Sequence, residues 1–544
     1  MALPSSSARR IALVVALGAF VLVAVAGALA HHDKPLGVPK AQAIARAKAA
    51  PQVRDVLRPG DRAQTLYVDE DLVKVQFYRG DRAVAVAGVD AKDGIVYEGA
   101  HENPLGWGAP FTHRALPLAA LALLFLLVTL RVPLRRNATR TVDLLAICAL
   151  VVPAVLFDQG SFARGQALIA LLLLYLLARG AVLALRGPSR AEDPGAPVLL
   201  EAIAARAGLP HLVRQIGWAL LAATVLITLT SNGVIDIAFA DMEGATVLLQ
   251  GHLPYGNMPA GDIIHGDTYG LPIYAFSAPF AALWPMHDGW DDPIGALVSN
   301  ALLVLLCVWG LARTIERARR WTAIVAFLAF PATLMSVSSG TNDLLIAALL
   351  LWAFLWWTRP VASSALVMLA GAAKIAPLVL LPLWLARLRG RELVAATAVC
   401  AGIGVAVLAA LVAIGGLHGP LDMADAIAFQ LSRRSELAVW TQLPVAGLQP
   451  LAQGLTMAVA LGGAALVFLD REIAADPRRV AGLVTAVLAG LQLSANHWAP
   501  MYLLWLAPPV MLALAGPLGA RAPVAAHDAL DAEAVPAGAK LAAA

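Results

Sequence analysis

Charge and cysteine are both scarce in this chain. Of its 544 residues only 14% are Asp, Glu, Lys or Arg, whereas 60% are hydrophobic. A soluble domain carries about 25% charged residues, so a soluble enzyme and a disordered protein are both excluded. The three cysteines, Cys148, Cys307 and Cys400, each sit inside an apolar run with no partner at metal-ligand spacing. A disulfide framework and a thiolate metal site are excluded with them. The formal charge of +4 and isoelectric point near 9.0 do not point to nucleic acid. The arginines fall in short clusters between apolar runs, as membrane topology signals do.

What the chain has in abundance is long apolar runs. At about 20 residues per crossing it can hold a dozen or more membrane helices with a small soluble domain to spare. The first run, Ile11 to Ala30, follows Arg9 and Arg10 and reads as an uncleaved anchor whose basic end stays cytoplasmic, with a cleaved signal peptide as the alternative, since small residues stand at Ala28 and Ala30. Alternate threading puts the arginine clusters near Arg131, Arg186, Arg313, Arg387 and Arg471 all inside on one condition. The run from 361 to 386 must be a broken pair of half-length helices turning at Lys374, ahead of Pro377. The expected fold class is an α-helical polytopic membrane protein of about fourteen segments with a small α+β extracytoplasmic domain. The expected location is the plasma membrane.

This threading divides the chain into an anchor or signal (1–30), an outer α+β domain (31–113), a three-helix membrane region with a cytoplasmic linker (114–213), a membrane core (214–516) and an Ala-rich cytoplasmic tail (517–544). The outer domain reads as a helix from Lys40 to Val56. Strands follow near Gln64–Val68, Val73–Tyr78, Ala83–Val89 and Ile95–Glu98, marked by alternation such as Val73, Val75, Phe77. Its pattern, ending Val89-Asp90-Ala91-Lys92-Asp93-Gly94-Ile95-Val96-Tyr97, resembles a PepSY-type domain, which implies a regulatory or binding role.

Chemistry-bearing residues concentrate in outward-facing loops. After the run ending near 232 come Asp236, Asp241 and Glu243, then Leu248-Leu249-Gln250-Gly251-His252-Leu253-Pro254-Tyr255-Gly256 and His265-Gly266-Asp267-Thr268-Tyr269-Gly270-Leu271-Pro272. The apolar stretch from Leu271 to Trp284, broken by Pro272 and Pro279, reads as an interfacial helix. A carboxylate just past a membrane helix is placed to take a proton from an acceptor hydroxyl.

These residues, with Gly244-Ala245, Leu248-Leu249, Gly251, Tyr255, the later Asn342-Asp343 and Gly371-Ala372-Ala373-Lys374-Ile375-Ala376-Pro377, resemble the GT-C class of membrane glycosyltransferases. They are similar in particular to the polyprenol-phosphate-mannose-dependent mannosyltransferases of glycosyltransferase family 87, over about residues 214 to 516. The spacing from Asp236 to Gly244 is one residue longer than the common form. The resemblance implies inverting transfer of a hexosyl group, mannosyl in the first place, from a polyprenol-phosphate donor to a cell-envelope glycan or glycolipid acceptor on the outer face. Asp236 is then the expected base, with Asp241 as its rival. Lys374, Arg433 and Arg434 are the cations expected near the leaving phosphate.

His265, Asp267, Tyr269, Asn342, Asp343 and His497 complete the expected substrate contacts. Each has a plainer alternative: turn structure for His265, Asp267 and Tyr269, helix capping for Asn342 and Asp343, an interfacial position for His497, and snorkelling for Lys374. No cofactor is assigned. A divalent cation stays open, because Asp236, Asp241, Asp262 and Asp267 are carboxylates without a ligand spacing. The competing function is a transporter or flippase of a lipid-linked sugar. Against it, only one segment is clearly broken, and internal repeats are not evident.

Overall fold

The computed structural model describes residues 6–30, 36–68, 71–100, 115–187, 197–231, 234–259, 265–287, 291–443 and 446–516. The expected tail after 516, the end of the outer domain beyond 100, and Asp262 lie outside them. Among the described residues six helices are long and apolar enough to cross a membrane. They are Ala138–Asp158, Phe162–Arg186, Leu212–Leu229, Ile294–Thr314, Gly390–Ser432 and Gln449–Leu469. Arg320–Leu328 and Pro331–Ser338 make a seventh if counted as one span, bent by 57° at the break before Pro331. Further apolar helices of 10–17 residues, among them Ala115–Thr129, Asp343–Leu355 and Pro360–Ala373, are too short for a full untilted crossing.

The outside of this helical body is apolar. Val394, Val405 and Leu408 on the helix Gly390–Gly415 are 69%, 65% and 51% exposed, a surface suited to lipid. Its interior is packed around buried residues of Arg320–Leu328, Asp343–Leu355 and Pro477–Ser494. Several clustered arginines also close the ends of neighbouring helices. Arg479 Nε donates to the Ala184 carbonyl at 2.7 Å and Arg387 Nη1 to that of Trp357 at 3.1 Å, satisfying helix C-terminal acceptors. The first helix, Ser6–Ala30, packs along Gln449–Leu469.

The run from 361 to 386 does break at Lys374. The helix Pro360–Ala373 ends there, Lys374 is extended (φ −132, ψ 128), and a tight helical turn Ala376–Leu380 follows.

The small domain holds two short helices, Lys40–Ala49 and Pro51–Arg54, against an antiparallel sheet in the order β1 (Arg62–Tyr67), β2 (Leu72–Arg79), β3 (Arg82–Asp90), β4 (Gly94–Ala100). The helix expected from Lys40 to Val56 is split at Ala50, where extended backbone (φ −60, ψ 131) precedes Pro51. Residues alternate across β2. Val73, Val75 and Phe77 pair with Val89, Ala87 and Ala85, and all six are fully buried in the domain's own core with Ala43, Ala47 and Val53.

The opposite face of β2 carries Lys74, Gln76 and Tyr78. A half-buried sheet would leave this row in water, but here it is covered by the helical body. Tyr78 stacks edge-on to Phe162 at 6.1 Å, Gln442 Nε2 donates to the Tyr78 hydroxyl at 2.7 Å, and the Ala83 amide bonds the Gly160 carbonyl at 3.0 Å.

Candidate active site

The helix Asp236–Leu249 begins where Ile235 donates its amide to the Ser339 carbonyl at 3.1 Å. Ser231 Oγ bonds the Ser338 carbonyl just before it. These bonds pin the start of the helix to the turn between Ser338 and Asp343. Asp236 occupies the first turn of that helix and is exposed, where the helix dipole favours a carboxylate. Asp241, one and a half turns on, is only 5% exposed and accepts from Asn342 Nδ2 at 2.8 Å. Burial pushes the Asp241 carboxyl above the usual carboxylate range, and Asn342 and Lys374 draw it back only in part. Asn342 makes no side-chain cap of its own helix; its amide goes to Asp241.

Two glycines that belong to the sequence motifs act through close approach. A Cβ on Gly244 would lie 2.4 Å from the Tyr274 ring, whose hydroxyl holds the Gly266 carbonyl at 2.6 Å. A Cβ on Gly270 would lie 1.7 Å from the Ala372 carbonyl oxygen, and the Gly270 amide donates to Ala373 at 2.9 Å. The 265–270 turn is thereby clamped both to the Asp236–Leu249 helix and to the chain break at Lys374.

Lys374 and Asp343 meet there. Nζ lies 2.7 Å from Asp343 Oδ1, with the two side chains 8% and 0% exposed. Trp505 Nε1 donates to the same oxygen at 3.0 Å. The ammonium also lies over the rings of Tyr269, Tyr502 and Trp505 at 5.2, 5.1 and 5.5 Å, an aromatic cage for a cation. Lys374 is therefore neutralised in place, and a snorkelling lysine is not what the structure contains.

Arg433 and His497 stand beside this cage. Arg433 Nη2 is 3.3 Å from His497 Nε2, and the His497 ring lies 6.4 Å from that of Tyr502. Desolvation first, then the charges of Arg433, Lys374 and Lys74, hold the imidazole well below its ordinary value, hence neutral near pH 7. Arg433 Nε and His497 Nδ1 are buried with no hydrogen-bond partner among the described residues. The same is true of Ser336 Oγ, Ser339 Oγ, Thr341 Oγ1, Asn342 Oδ1 and Asp343 Oδ2 in the turn before Asp343–Leu355.

The structure thus brings together Asp241, Asn342, Asp343, Lys374, Tyr269, Arg433 and His497, with Asp236 in Coulombic reach of Asp241, Tyr269 and Tyr502. Two expected contacts have partners within the protein. Asp267 Oδ2 accepts from the Gly256 amide at 3.0 Å, and burial raises its carboxyl. His265 stacks on Phe429 at 4.2 Å. Arg434 follows Arg433 and is exposed. Sequence reading missed Tyr502 and Trp505, whose i, i+3 spacing just after His497 is the available signal, and Lys74 and Glu436, which carry none. Among the described residues no group of three or more His, Cys, Asp or Glu is arranged to hold a metal ion.

An apolar groove of about 160 Å³ opens beside the site, lined by Thr268, Gly270, Met368, Gly371, Val407 and Ile427 among others. An acid, a caged ion pair and an arginine thus meet at one cleft of a helical protein, next to an apolar groove. Residues 268–518 match the family model of glycosyltransferase family 87, which makes the chain a membrane glycosyltransferase. The matched region holds Asn342, Asp343, Lys374, Arg433 and His497 but begins after Asp236 and Asp241. No curated protein and no solved structure matches the chain.

Proposed function

We infer that the protein transfers a hexosyl group, mannosyl in the first place, from a polyprenol-phosphate donor to a cell-envelope glycan or glycolipid, at the extracytoplasmic face of the plasma membrane. The observation that carries this reading is Arg433. Its Nε is a buried donor without a partner beside the caged Lys374 pair, and an unsatisfied buried donor costs about 1–3 kcal/mol. A phosphate oxygen is the acceptor a guanidinium fork is shaped for.

The apolar groove at Gly371 and Met368 suits the prenyl chain of the same donor, which brings its own activated sugar and needs no nucleotide fold. The orphan hydroxyls of Ser336, Ser339 and Thr341 are candidate partners for sugar hydroxyls.

Within this reading Asp236 is the base. It is exposed at the cleft, whereas the Asp241 carboxyl is buried, tied to Asn342 and biased toward its neutral form, the wrong state for accepting a proton. Asp241 and Asn342 orient the helix that carries Asp236. Arg433 stabilises the charge that grows on the departing phosphate. Lys374 holds Asp343 and the aromatic wall. The short apolar helices beside the six long ones would supply the remaining passes and half-passes of a fourteen-segment topology.

The test is purified full-length protein in liposomes given polyprenol-phosphate mannose or a nucleotide-activated mannose, with release of polyprenol phosphate as the readout. Consumption of the lipid donor alone is the expected result. No consumption, with lipid-linked sugar moving across the bilayer, would replace this function with a flippase.

A further inference from the structure

The loop from Arg433 to Gln442 is held from two sides. On one side are the residues around His497. The Ser435 amide donates to the Asn496 carbonyl at 3.1 Å, Ser435 Oγ to the Trp498 carbonyl at 3.2 Å, and Trp440 Nε1 to the Leu493 carbonyl at 2.7 Å. Asn496 Nδ2 closes the frame on the Leu431 carbonyl at 2.7 Å.

On the other side is the polar face of the sheet. Lys74 Nζ lies 2.7 Å from Glu436 Oε1, the side chains 24% and 13% exposed. Gln442 Nε2 donates to Gln64 Oε1 at 2.6 Å, and Gln64 Nε2 to the Thr441 carbonyl at 3.3 Å. Gln166, on the helix Phe162–Arg186, bridges both ends of the loop by donating to the Glu436 carbonyl at 2.6 Å and accepting from the Gln442 amide at 3.1 Å.

Lys74 is the charged residue that β2 contributes to this face, where Arg62 of β1 lies over the Tyr78 ring at 5.3 Å, and Lys74 points toward the cleft. It lies in Coulombic reach of Asp236 and of His497. Desolvation opposes its charge, but the Glu436 carboxylate more than compensates, so the ammonium is held above its ordinary range. A sheet that only covered the helical body would need apolar residues at this register, as it has on its other face. Instead β2 places Lys74, Gln76 and Tyr78 there, and Gln64 of β1 sits opposite Gln76.

We propose that Lys74 is a positioning residue for sugar transfer: through Glu436 it fixes the 433–442 loop, and so sets Arg433 and His497 against the donor phosphate. The sheet domain is on this account part of the catalytic cleft. The proposal rests on the donor-phosphate reading of Arg433, and its test separates the two.

Full-length wild type, Lys74→Met, Glu436→Gln and the charge-reversed pair Lys74→Glu with Glu436→Lys are compared in liposomes. Donor KM and kcat are measured per folded molecule with polyprenol-phosphate mannose, together with hydrogen exchange of the 431–442 and 495–498 amides. Either single variant should raise donor KM about tenfold or more and speed exchange in both segments, and the reversed pair should recover much of both. If the single variants keep KM and kcat within twofold, or lose only the amount of folded protein, the positioning role is overturned. The same holds if the Ser435 amide exchanges as slowly as in wild type. A wild type that consumes no lipid donor removes the donor-phosphate reading itself, and the positioning claim with it.

Discussion

Replacing Lys374 by Met should destabilise the protein far more than an ordinary substitution in a membrane helix. Asp343 has 0% side-chain exposure. Its Oδ1 accepts from Lys374 Nζ at 2.7 Å and Trp505 Nε1 at 3.0 Å, while Oδ2 has no hydrogen-bond partner among the described residues. Removing the ammonium leaves a carboxylate in a dry site with one indole hydrogen bond. Breaking a buried pair on one side costs about 3–5 kcal/mol, most of it the stranded charge. The loss therefore belongs to Asp343 and not to the missing lysine contacts.

That reasoning has a sharp corollary. Lys374→Met combined with Asp343→Leu removes both charges, and such replacements are often neutral or stabilising, so the double variant should be more stable than the single one. The assay is thermal unfolding in one detergent for wild type, Lys374→Met, Asp343→Leu and the double variant, with sugar transfer measured below all midpoints. A single variant as stable as wild type would refute the argument. So would a double variant no better than the worse single one. If the double variant is stable yet inactive, the pair also serves the reaction.

The remaining predictions concern other parts of the cleft. Asp241→Asn keeps the neutral shape that burial favours and should retain transfer within about tenfold, checked by initial rates at equal expression. Gly270→Ala drives a methyl into the Ala372 carbonyl and should cost about 1–3 kcal/mol, seen as a lower unfolding midpoint with reduced transfer. His497 is held below its ordinary value in the folded protein. Between that depressed value and about 6.5 the unfolded chain binds the proton and the native one does not, so stability falls as pH falls through this window. His497→Gln should flatten that dependence, and unfolding midpoints at pH 7, 6 and 5 measure it.

Much of this architecture is legible in the sequence because membrane helices and half-buried strands advertise their periods. The strands near Gln64, Val73, Ala83 and Ile95 were readable from alternation, and the break at Lys374 from a charge followed by Pro377. The site was legible as a set of residue types, not as a set of partners. Asn342 and Asp343 look like a helix cap, yet their side chains reach Asp241 and Lys374, 101 and 31 residues away, which no local pattern encodes. Alternation also told only that Lys74, Gln76 and Tyr78 share a face, and a polar face reads as a wet one. What covers it is a loop more than 350 positions along the chain. Asp267 shows the same limit: an acid in a Gly-rich turn reads as a substrate contact or as turn structure, and the sequence does not reveal its tie to the Gly256 amide.

The central claim is that an exposed carboxylate at the head of the Asp236–Leu249 helix takes the acceptor proton while a lipid phosphate departs. Single-turnover transfer from radiolabelled polyprenol-phosphate mannose to membrane acceptors tests it most directly, with wild type, Asp236→Asn and Asp241→Asn at equal folded concentration. The account predicts a loss of about 10²–10⁴-fold in Asp236→Asn and turnover within about tenfold of wild type in Asp241→Asn. Loss confined to Asp241→Asn would move the base into the buried cluster and contradict it.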